Sequence, residues 1–250
     1  MSIDVYYLLV ILGTLVLACL LLYCLASRKV FKFNRHSFPL RSGIAVITAH
    51  PDDECMFFAP ALLELSETCN VHILCATTGD YYKQGFLRKN ELINSCQILG
   101  IDKENVKILD DSSFPDDPKA VWDLKKLSVE IKSFIAKIQP HCILTFDLKG
   151  VSHHPNHIAI SQLVRTIYST EKKIKVYELE SVPLVRKYCG IFDLPLSLAS
   201  GQLMFVSSLS NILKAQRAMI AHKTQLVWFR ILYIIFSRYM VINTFTLVKP

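Results

Sequence analysis

The sequence predicts an α/β fold, in which a Rossmann-like, mainly parallel sheet is flanked by helices and preceded by one transmembrane helix. Two observations favour the sheet. Short apolar runs rich in Val, Ile and Leu alternate with segments of helical periodicity, which is typical of parallel sheets. A chain of 250 residues can also bury the core of such a sheet in one domain. The third observation, a long uncharged segment at the amino terminus, favours the transmembrane helix.

The amino-terminal segment is long and apolar enough to cross a bilayer. No residue in the range 5–26 is charged, and about 20 apolar residues span the hydrocarbon core. A cleaved signal peptide is the alternative. It is disfavoured because its apolar core would be shorter and because no Lys or Arg precedes the run. We therefore predict a transmembrane anchor over residues 1–26.

A basic stretch follows the predicted anchor. Its cations, with no acid among them, are Arg28, Lys29, Lys32, Arg35 and Arg41. Basic residues remain on the cytoplasmic side of a membrane, so residues 27–42 are predicted to be a juxtamembrane linker and residues 43–250 a cytosolic domain. The linker carries most of the formal net charge of +7, and the small surplus that remains predicts no nucleic-acid partner.

The cysteines agree with a cytosolic domain. The chain has eight of them, none forms a CxxC pair, and most lie in apolar runs. Buried free thiols of this kind are typical of a reducing compartment.

The strands and helices of residues 43–250 can be placed individually. Apolar runs predict five strands, at 44–47, 71–76, 106–109, Cys142–Phe146 and Lys175–Leu179. Helical periodicity between these runs predicts helices at 88–99, Leu124–Ile138 and 158–168. Gly100, directly after the first of these helices, is typical of a helix end.

The carboxyl-terminal part of the chain allows two interpretations. Residues 215–235 have helical periodicity, and aromatic residues are dense around Arg230 and Arg238. The segment is either a helix that packs on the sheet or an interfacial segment whose aromatic and Arg side chains lie among lipid headgroups. The two arginines disfavour a second membrane span.

A first polar cluster directly follows the first predicted strand. His50, Asp52, Asp53 and Glu54 lie at the turn between this strand and an apolar, helix-like segment. Open α/β sheets bind their ligands in the crevice at the carboxyl ends of the strands. The alternative is that the acids only cap the helix. A cap needs one side chain and no imidazole, so the cluster favours a hydrolytic metal site.

A second polar cluster follows the fourth predicted strand. His153, His154 and His157 occur there within five residues, and Pro155 lies near the start of the next helix. His154 and His157 are three residues apart and can therefore face the same side. A lone histidine here would more often be a surface or core residue. Three of them, matched by the earlier cluster, favour a functional site.

Together the clusters contain the groups that metal-assisted hydrolysis requires. Catalytic zinc takes three protein ligands and leaves one position for water. We predict His50, Asp53 and His157 as the ligands of Zn²⁺, with another divalent metal as the alternative. Asp52 then remains as general base, and His154 as acid or oxyanion stabiliser.

Two further residues are weaker candidates for substrate contact. Arg88 suits a phosphate or a sugar hydroxyl, but it is equally typical of a solvated helix. Asp111 ends the third strand, where an acid can simply favour a turn. No GxGxxG motif follows the first strand, which disfavours dinucleotide binding.

Several segments of the chain resemble a known family. They are residues 49–54 (AHPDDE), 88–91 and 154–157, together with the longer segments 81–85, 114–118, 193–197 and 232–239. Over nearly all of residues 43–245 the chain resembles the PIG-L/LmbE-like zinc de-N-acetylases. The longer segments resemble the eukaryotic branch, the N-acetylglucosaminyl-phosphatidylinositol de-N-acetylases of GPI-anchor biosynthesis.

The resemblance implies a function, a cofactor and a location. Residues 43–250 would form a zinc deacetylase domain that acts on a glycolipid substrate at the endoplasmic reticulum membrane, with the active site in the cytosol. The resemblance also implies the three zinc ligands given above, with Asp52 as base and His154 as acid. It implies no protein partner.

Two other functions remain as alternatives. A deacetylase for a soluble N-acetylglucosamine conjugate would use the same site but would need no anchor. A metal-binding scaffold without turnover would need neither Asp52 nor His154, and both are present. We therefore expect a membrane-anchored hydrolase.

Overall fold

The computed structural model describes residues 3–28, 38–117, 119–171, 174–200 and 203–249. Lys29, Lys32 and Arg35 of the basic linker lie outside the described residues. The predicted anchor is a single helix, α1 (Ile3–Ser27). Among the described residues, it is the one helix that is long and apolar enough to cross a membrane.

Seven strands and ten further helices make up the described part of the main domain. The strands are β1 (Gly43–Thr48), β2 (Asn70–Cys75), β3 (Val106–Ile108), β4 (Cys142–Phe146), β5 (Lys175–Leu179), β6 (Leu203–Val206) and β7 (Ile242–Leu247). The helices are α2 (Asp53–Phe57), α3 (Ala59–Leu65), α4 (Gly85–Ile98), α5 (Leu124–Ile138), α6 (Gly150–His153), α7 (Pro155–Glu171), α8 (Leu184–Lys187), α9 (Leu194–Ala199), α10 (Leu209–Ala221) and α11 (Trp228–Phe236). The five predicted strands, and the three helices predicted between them, are confirmed. Gly100 follows α4 with a φ of 84°, a conformation that favours glycine at a helix end.

The strands form one sheet in the order β3-β2-β1-β4-β5-β7-β6. Strands β1 to β5 pair in parallel, whereas β7 is antiparallel to both β5 and β6. The prediction of a mainly parallel sheet is therefore confirmed. The order of strands reverses between β1 and β4, and open sheets form a ligand-binding crevice at such a point.

Helices cover both faces of the sheet. Ile44 and Val46 of β1 belong to a core that also contains residues of α2, α3, α4 and α10. Ala45 and Ile47, which alternate with them, belong to a second core with α5 and α7. A strand buried on both faces carries few polar residues, which explains the continuous apolar runs of the sequence.

The helix predicted at 215–235 is wrong in one respect, because two helices, α10 and α11, occupy this part of the chain. The break between them has a physical cause. The backbone N–H and the hydroxyl group of Thr224 donate to the carboxylate of Glu91 in α4, over 2.9 and 2.6 Å. These bonds hold a short 3₁₀ turn, Lys223–Gln225, where the helix would otherwise continue.

The sequence did not predict β6 and β7. In β7 the polar residues Asn243 and Thr244 are buried together with Ile242 and Phe245. Polar and apolar residues therefore do not alternate along this strand, and the pattern that marks a half-buried strand is missing.

Helix α11 combines features of both interpretations of the carboxyl-terminal segment. Its Tyr233 and Ile234 are buried, and the Tyr233 hydroxyl donates to the carbonyl oxygen of Met56 at 2.7 Å. The helix therefore packs on the domain. Its other large apolar side chains are exposed, namely Trp228, Phe229, Ile231, Leu232, Ile235 and Phe236.

Candidate active site

The two polar clusters meet at the carboxyl ends of β1 and β4. His50 follows β1, and His157 lies in the first turn of α7. Because β1 and β4 are neighbours in the sheet, both side chains reach the same point, where His50 Nδ1 and His157 Nε2 are 3.3 Å apart. Both residues are buried.

Asp53 is held by the backbone of the turn that carries His50. Its Oδ2 accepts hydrogen bonds from the N–H groups of Ala49 and His50, at 2.9 and 2.8 Å. Its Oδ1 lies 3.2 Å from His157 Nε2. Oδ2 is thus bound to the backbone and lies 3.7 Å from His50 Nδ1, whereas Oδ1 faces His157.

The hydrogen-bond partner of His157 assigns its tautomer. His157 Nδ1 lies 3.1 Å from the carbonyl oxygen of Gly150. A carbonyl only accepts, so Nδ1 carries the proton and Nε2 the lone pair. His50 Nε2 has two neighbours of opposite kind, Asp116 Oδ1 at 3.3 Å and the side-chain amide nitrogen of Asn156 at 3.0 Å. His50 Nδ1, His157 Nε2 and the Asp53 carboxylate converge at one point.

Two imidazole nitrogens and a carboxylate that converge in a buried site form a set of groups that suits a cation. Burial lowers the pKa of His50, but Asp53 and Asp116 outweigh burial and raise it. Burial likewise opposes ionisation of Asp53, but His157 and His50 hold its pKa well below the usual range. The ligand atoms of a tetrahedral metal ion with bonds of about 2.1 Å lie about 3.4 Å apart, close to the separations found here. The three residues therefore fit a divalent metal ion.

His154 is near enough to be considered as a fourth candidate ligand. One nitrogen each of His50, His154 and His157 lies within 4.8 Å of the other two. Asp53 Oδ1 lies 3.2 Å from His157 Nε2, close to the separation of two ligands of one ion, and its carboxylate supplies negative charge that a third imidazole lacks. We therefore prefer Asp53 over His154 as the third ligand.

The ring of His154 is neutral near pH 7. Burial, and then the charges of His50 and His157, lower the pKa of His154 to about 4. Its Nδ1 accepts a hydrogen bond from the backbone N–H of Asn156 at 3.3 Å, so the remaining proton is on Nε2. His154 lines the cleft and thus offers a neutral donor there.

Asp52 is next to the cluster, and two arginines face its carboxylate. Arg230 Nη2 lies 3.0 Å from Asp52 Oδ2, and Arg88 Nη2 lies 3.9 Å from Oδ1. Burial raises the pKa of Asp52, and the two arginines oppose that rise. A buried carboxylate with a raised pKa suits a general base.

The backbone of Asp52 is strained, and a buried hydrogen-bond network holds it in place. Its φ of 120° costs about 1–3 kcal/mol for a residue other than glycine. Its N–H donates to Glu54 Oε2 at 3.0 Å. Glu54 Oε1 in turn accepts from Ser95 Oγ and lies 2.8 Å from His222 Nε2. This buried network fixes the direction in which Asp52 points.

The sequence analysis missed Ser95, His222 and Arg230. Each lies on a helix or helix end remote in sequence from the residue it contacts, and each is an ordinary residue for such an element. Asp116 was noted only as part of the shared segment 114–118. A resemblance over that segment was the one signal that pointed to it.

Arg88 is not a solvated helix residue. It is 5% exposed, and its guanidinium donates to the carbonyl oxygens of Gly79 and Pro51 and to Asp116 Oδ2, at 3.0, 2.7 and 3.0 Å. It therefore joins three loops around the cleft. Contact between Arg88 and a substrate stays a prediction.

Asp111 does not line the cleft that contains the histidines. Its carboxylate is bound by Lys126 Nζ at 2.6 Å and by the N–H of Ser113 at 2.9 Å, and these bonds, that of Lys126 first, lower its pKa to about 2. Asp111 lines a neighbouring depression, which shares Tyr81 and Asp116 with the cleft. Its contact with a substrate stays a prediction, and it would have to occur in that depression.

The cleft above the cluster has a volume of about 550 Å³, within the range of sites for small ligands. Aromatic side chains from four segments line it, namely Phe57, Tyr81, Tyr82, Tyr188, Phe229 and Tyr233. Such rings pack against the apolar faces of sugars, while the polar groups at its floor can orient an amide.

The sequence and fold agree with one family. The family model for GlcNAc-PI de-N-acetylases (PIG-L) matches residues 45–168. The N-acetylglucosaminyl-phosphatidylinositol de-N-acetylase of Bos taurus is 44% identical over 208 residues, which cover 81% of this chain and 82% of that protein. The chain belongs to the GlcNAc-PI de-N-acetylase family. A probable N-acetylglucosaminyl-phosphatidylinositol de-N-acetylase of Dictyostelium discoideum is 33% identical over 244 residues, 84% of this chain and 95% of that protein.

Solved structures extend this agreement to the fold of the family. The N,N'-diacetylchitobiose deacetylase of Pyrococcus horikoshii superposes with a TM-score of 0.56 at 15% identity, over 90% of this chain and 91% of that one. A likeness at this identity shows the fold alone. The predicted Rossmann-like fold and the resemblance to the de-N-acetylases are thus confirmed, and this member of the family is a deacetylase.

Proposed function

We propose that this protein is a zinc-dependent hydrolase that removes the N-acetyl group of N-acetylglucosaminyl-phosphatidylinositol. The products are glucosaminyl-phosphatidylinositol and acetate, in GPI-anchor biosynthesis. The observation that carries the proposal is the convergence of His50, Asp53 and His157 beside an unligated Asp52, in a chain of the GlcNAc-PI de-N-acetylase family. Two imidazoles and one carboxylate are ligands that suit zinc and leave a fourth position open.

In this mechanism Asp52 is the general base. A bound divalent ion would supply Lewis acidity to the acyl oxygen and to the attacking water. Asp52 takes the proton of this water while the water oxygen bonds to the acyl carbon. The C–N bond then breaks as the sugar nitrogen receives the proton that Asp52 took up. The acetic acid so formed loses its remaining proton to the amine, so that acetate and an ammonium group result.

His154 acts as the oxyanion stabiliser, one of the two roles that the sequence leaves open. A ring with a pKa of about 4 carries no second proton to give near pH 7. Its Nε2–H can still donate a hydrogen bond to the acyl oxygen as negative charge develops there. Donors fixed in place before the reaction are among the largest contributors to such catalysis.

The enzyme would be anchored in the endoplasmic reticulum membrane by α1, with the catalytic domain in the cytosol. The basic residues after α1 support this orientation. So do the eight free cysteines, six of them buried, which suit a reducing compartment. A glycosylation acceptor engineered into residues 37–42 should remain unmodified in cells. Efficient glycosylation at that position would reverse the orientation.

The proposed reaction can be tested with purified full-length protein and N-acetylglucosaminyl-phosphatidylinositol labelled in the acetyl group. We expect release of labelled acetate, loss of the activity with a chelator, and recovery with added Zn²⁺. A soluble N-acetylglucosaminyl-inositol without lipid serves as the comparison. Preference for the soluble conjugate would favour the alternative deacetylase. Bound zinc without release of acetate from either compound would favour a metal-binding scaffold.

A further inference from the structure

The last turns of α1 pack against the main domain along one stripe. Cys19 and Ala26 are buried, and Leu22 and Tyr23 between them are half-buried. The Tyr23 hydroxyl also donates to the carbonyl oxygen of Ser207 at 2.9 Å. The domain is therefore docked directly on the membrane-spanning helix.

The position of this stripe along α1 determines how deep in the membrane the residues that pack on it lie. A span that begins after Asp4 and needs about 20 residues reaches to about residue 24. The stripe starts at Cys19, so it begins within the hydrocarbon layer. The elements that pack on α1, Gly190–Asp193 and α9, must then lie at the level of the lipid headgroups and upper acyl chains.

Together with α8, these elements form a continuous surface that connects α1 to α11. Helix α8 directly precedes Gly190–Asp193, and the ring of Tyr188 at its end lies 6.3 Å from the ring of Tyr233 in α11. Lys187 Nζ lies 5.7 Å from the centroid of the same Tyr233 ring. We call α8, Gly190–Asp193, α9 and α11 the platform.

The platform exposes large apolar side chains on each of its parts. They are Leu184, Val185, Tyr188, Phe192, Leu196, Trp228, Phe229, Ile231, Leu232, Ile235 and Phe236. Val185 is 78% exposed and Trp228 is 73% exposed. Scattered apolar residues are normal on a protein surface, but a set of this size marks an interaction site.

The charge of this part of the chain indicates a lipid surface as the occupant. After Asp193 the sequence contains no Asp or Glu. It contains six basic residues, of which Arg230 is bonded to Asp52 and Arg238 is buried against Asp193, whereas four are exposed, namely Lys214, Arg217, Lys223 and Lys249. Aromatic and basic side chains together are typical of segments that lie among anionic headgroups.

We propose that the platform is inserted into the headgroup region of the leaflet next to the domain, and that a lipid-linked substrate enters the cleft directly from this leaflet. The cleft is lined by Lys187 of α8, by Tyr188 directly after it, and by Phe229, Arg230 and Tyr233 of α11. The platform is thus one wall of the cleft, and its Lys187 suits the phosphate of a lipid headgroup. Entry of a lipid substrate rests on the proposed function, whereas insertion of the platform does not.

Insertion can be measured without any activity assay, because the chain has only two tryptophans. In the full-length Trp122→Phe variant, in vesicles of phosphatidylcholine and phosphatidylinositol, Trp228 is the one reporter. We expect its fluorescence to be quenched by lipids brominated in the upper acyl chain and shielded from aqueous acrylamide. A matched control carries Val121→Trp together with Trp122→Phe and Trp228→Phe. Val121 is 95% exposed and outside the platform, so its tryptophan should be quenched by acrylamide alone.

Two results would overturn insertion. Trp228 that behaves like the Val121→Trp control would show that the platform faces water. Trp228 that is shielded from acrylamide but not quenched by brominated lipid would show that a protein, or a second copy of this chain, covers the platform.

Entry from the leaflet is tested by the double variant Val185→Ser, Ile235→Ser, which changes no residue that lines the cleft. We expect its activity on vesicle-embedded lipid substrate to fall about tenfold more than its activity on the soluble glycoside, as two aliphatic side chains leave the bilayer. Equal losses on both substrates, or no loss on either, would refute entry from the leaflet. Lack of activity in the unchanged protein would instead count against the proposed function.

Discussion

The ends of β1 and β4 and the carboxyl-terminal segment meet at one cleft, but they contribute to it differently. The strand ends provide reactive groups that are adjacent in sequence, such as Asp52 and Asp53. The carboxyl-terminal segment provides Arg230 and His222, which contact Asp52 and Glu54 from 178 and 168 positions away. In the proposed mechanism the first region holds the groups that react, and the second sets their charge and direction. Variants in the first should therefore abolish activity, and variants in the second should change its pH dependence or the stability of the fold.

The largest effect is expected for Asp53→Ala. The variant loses the carboxylate that lies next to both histidines, and with it one of the three proposed metal ligands, so both metal content and activity should fall below detection. Metal analysis of the purified protein and the deacetylation assay measure the two effects. Asp110→Ala is the matched control, because Asp110 is an exposed acid bound to Lys89. Full zinc occupancy in Asp53→Ala would remove Asp53 from the ligand set.

Asp52→Asn separates the base from the ligands. The amide has nearly the same shape but cannot take a proton from water, and loss of a general base costs about 10²–10⁴ in rate. We expect kcat to fall by this factor while the zinc content stays at the level of the unchanged protein. Near-normal turnover in this variant would mean that another group is the base.

His222→Gln tests the support behind Asp52. Burial opposes the charge on both His222 and Glu54, but their mutual attraction raises the pKa of His222 and lowers that of Glu54. Removal of one partner of a buried pair costs about 3–5 kcal/mol. We therefore expect the free energy of unfolding of the metal-free, detergent-solubilised chain to fall by about 3 kcal/mol in urea titrations.

The pH dependence of this loss of stability follows from the shifts in the pKa of His222 and of Glu54. A raised histidine pKa contributes stability below the unfolded value of about 6.5, and a lowered glutamate pKa contributes stability above about 4.3. The difference between the two proteins should thus be largest between about pH 4.5 and 6.5 and shrink on both sides. His72→Gln is the control, because burial lowers the pKa of His72. A difference that does not vary with pH would show that His222 acts by packing alone.

The difference between the strand ends and the carboxyl-terminal segment also explains how much of the fold and of the candidate site could be predicted from the sequence. Buried strands leave continuous apolar runs, and the proposed metal ligands lie in two short polar clusters that each follow a strand, so the sheet and the proposed metal site could be predicted from local patterns. The break after α10 depends on Thr224 binding Glu91, a contact that no local pattern contains. The same holds for Arg230 and Asp52. Distant contacts of this kind, which carry no motif of their own, become visible only in the folded chain.

Arg230→Gln is the smallest change expected and the most direct test of the carboxyl-terminal region. The charge of Arg230 opposes the rise in the pKa of Asp52 that burial causes. Without it that pKa should rise further, so that less Asp52 is ionised near pH 7 and the acidic limb of the kcat/KM profile moves to higher pH. A shift of one unit corresponds to about a tenfold loss on that limb, with recovery above it.

The control for this prediction is Arg217→Gln, which removes the same charge from an exposed position on α10 and should leave the limb in place. If Arg230→Gln lowers kcat/KM equally at every pH, the arginine does not act through Asp52. It would then act by contact with the substrate, and the carboxyl-terminal segment would belong with the strand ends as part of the reacting site. If the acidic limb shifts while the plateau of kcat/KM at higher pH is unchanged, Arg230 acts only on the pKa of Asp52. The two regions then keep their separate roles, because the chemistry at the ionised base is the same in both proteins.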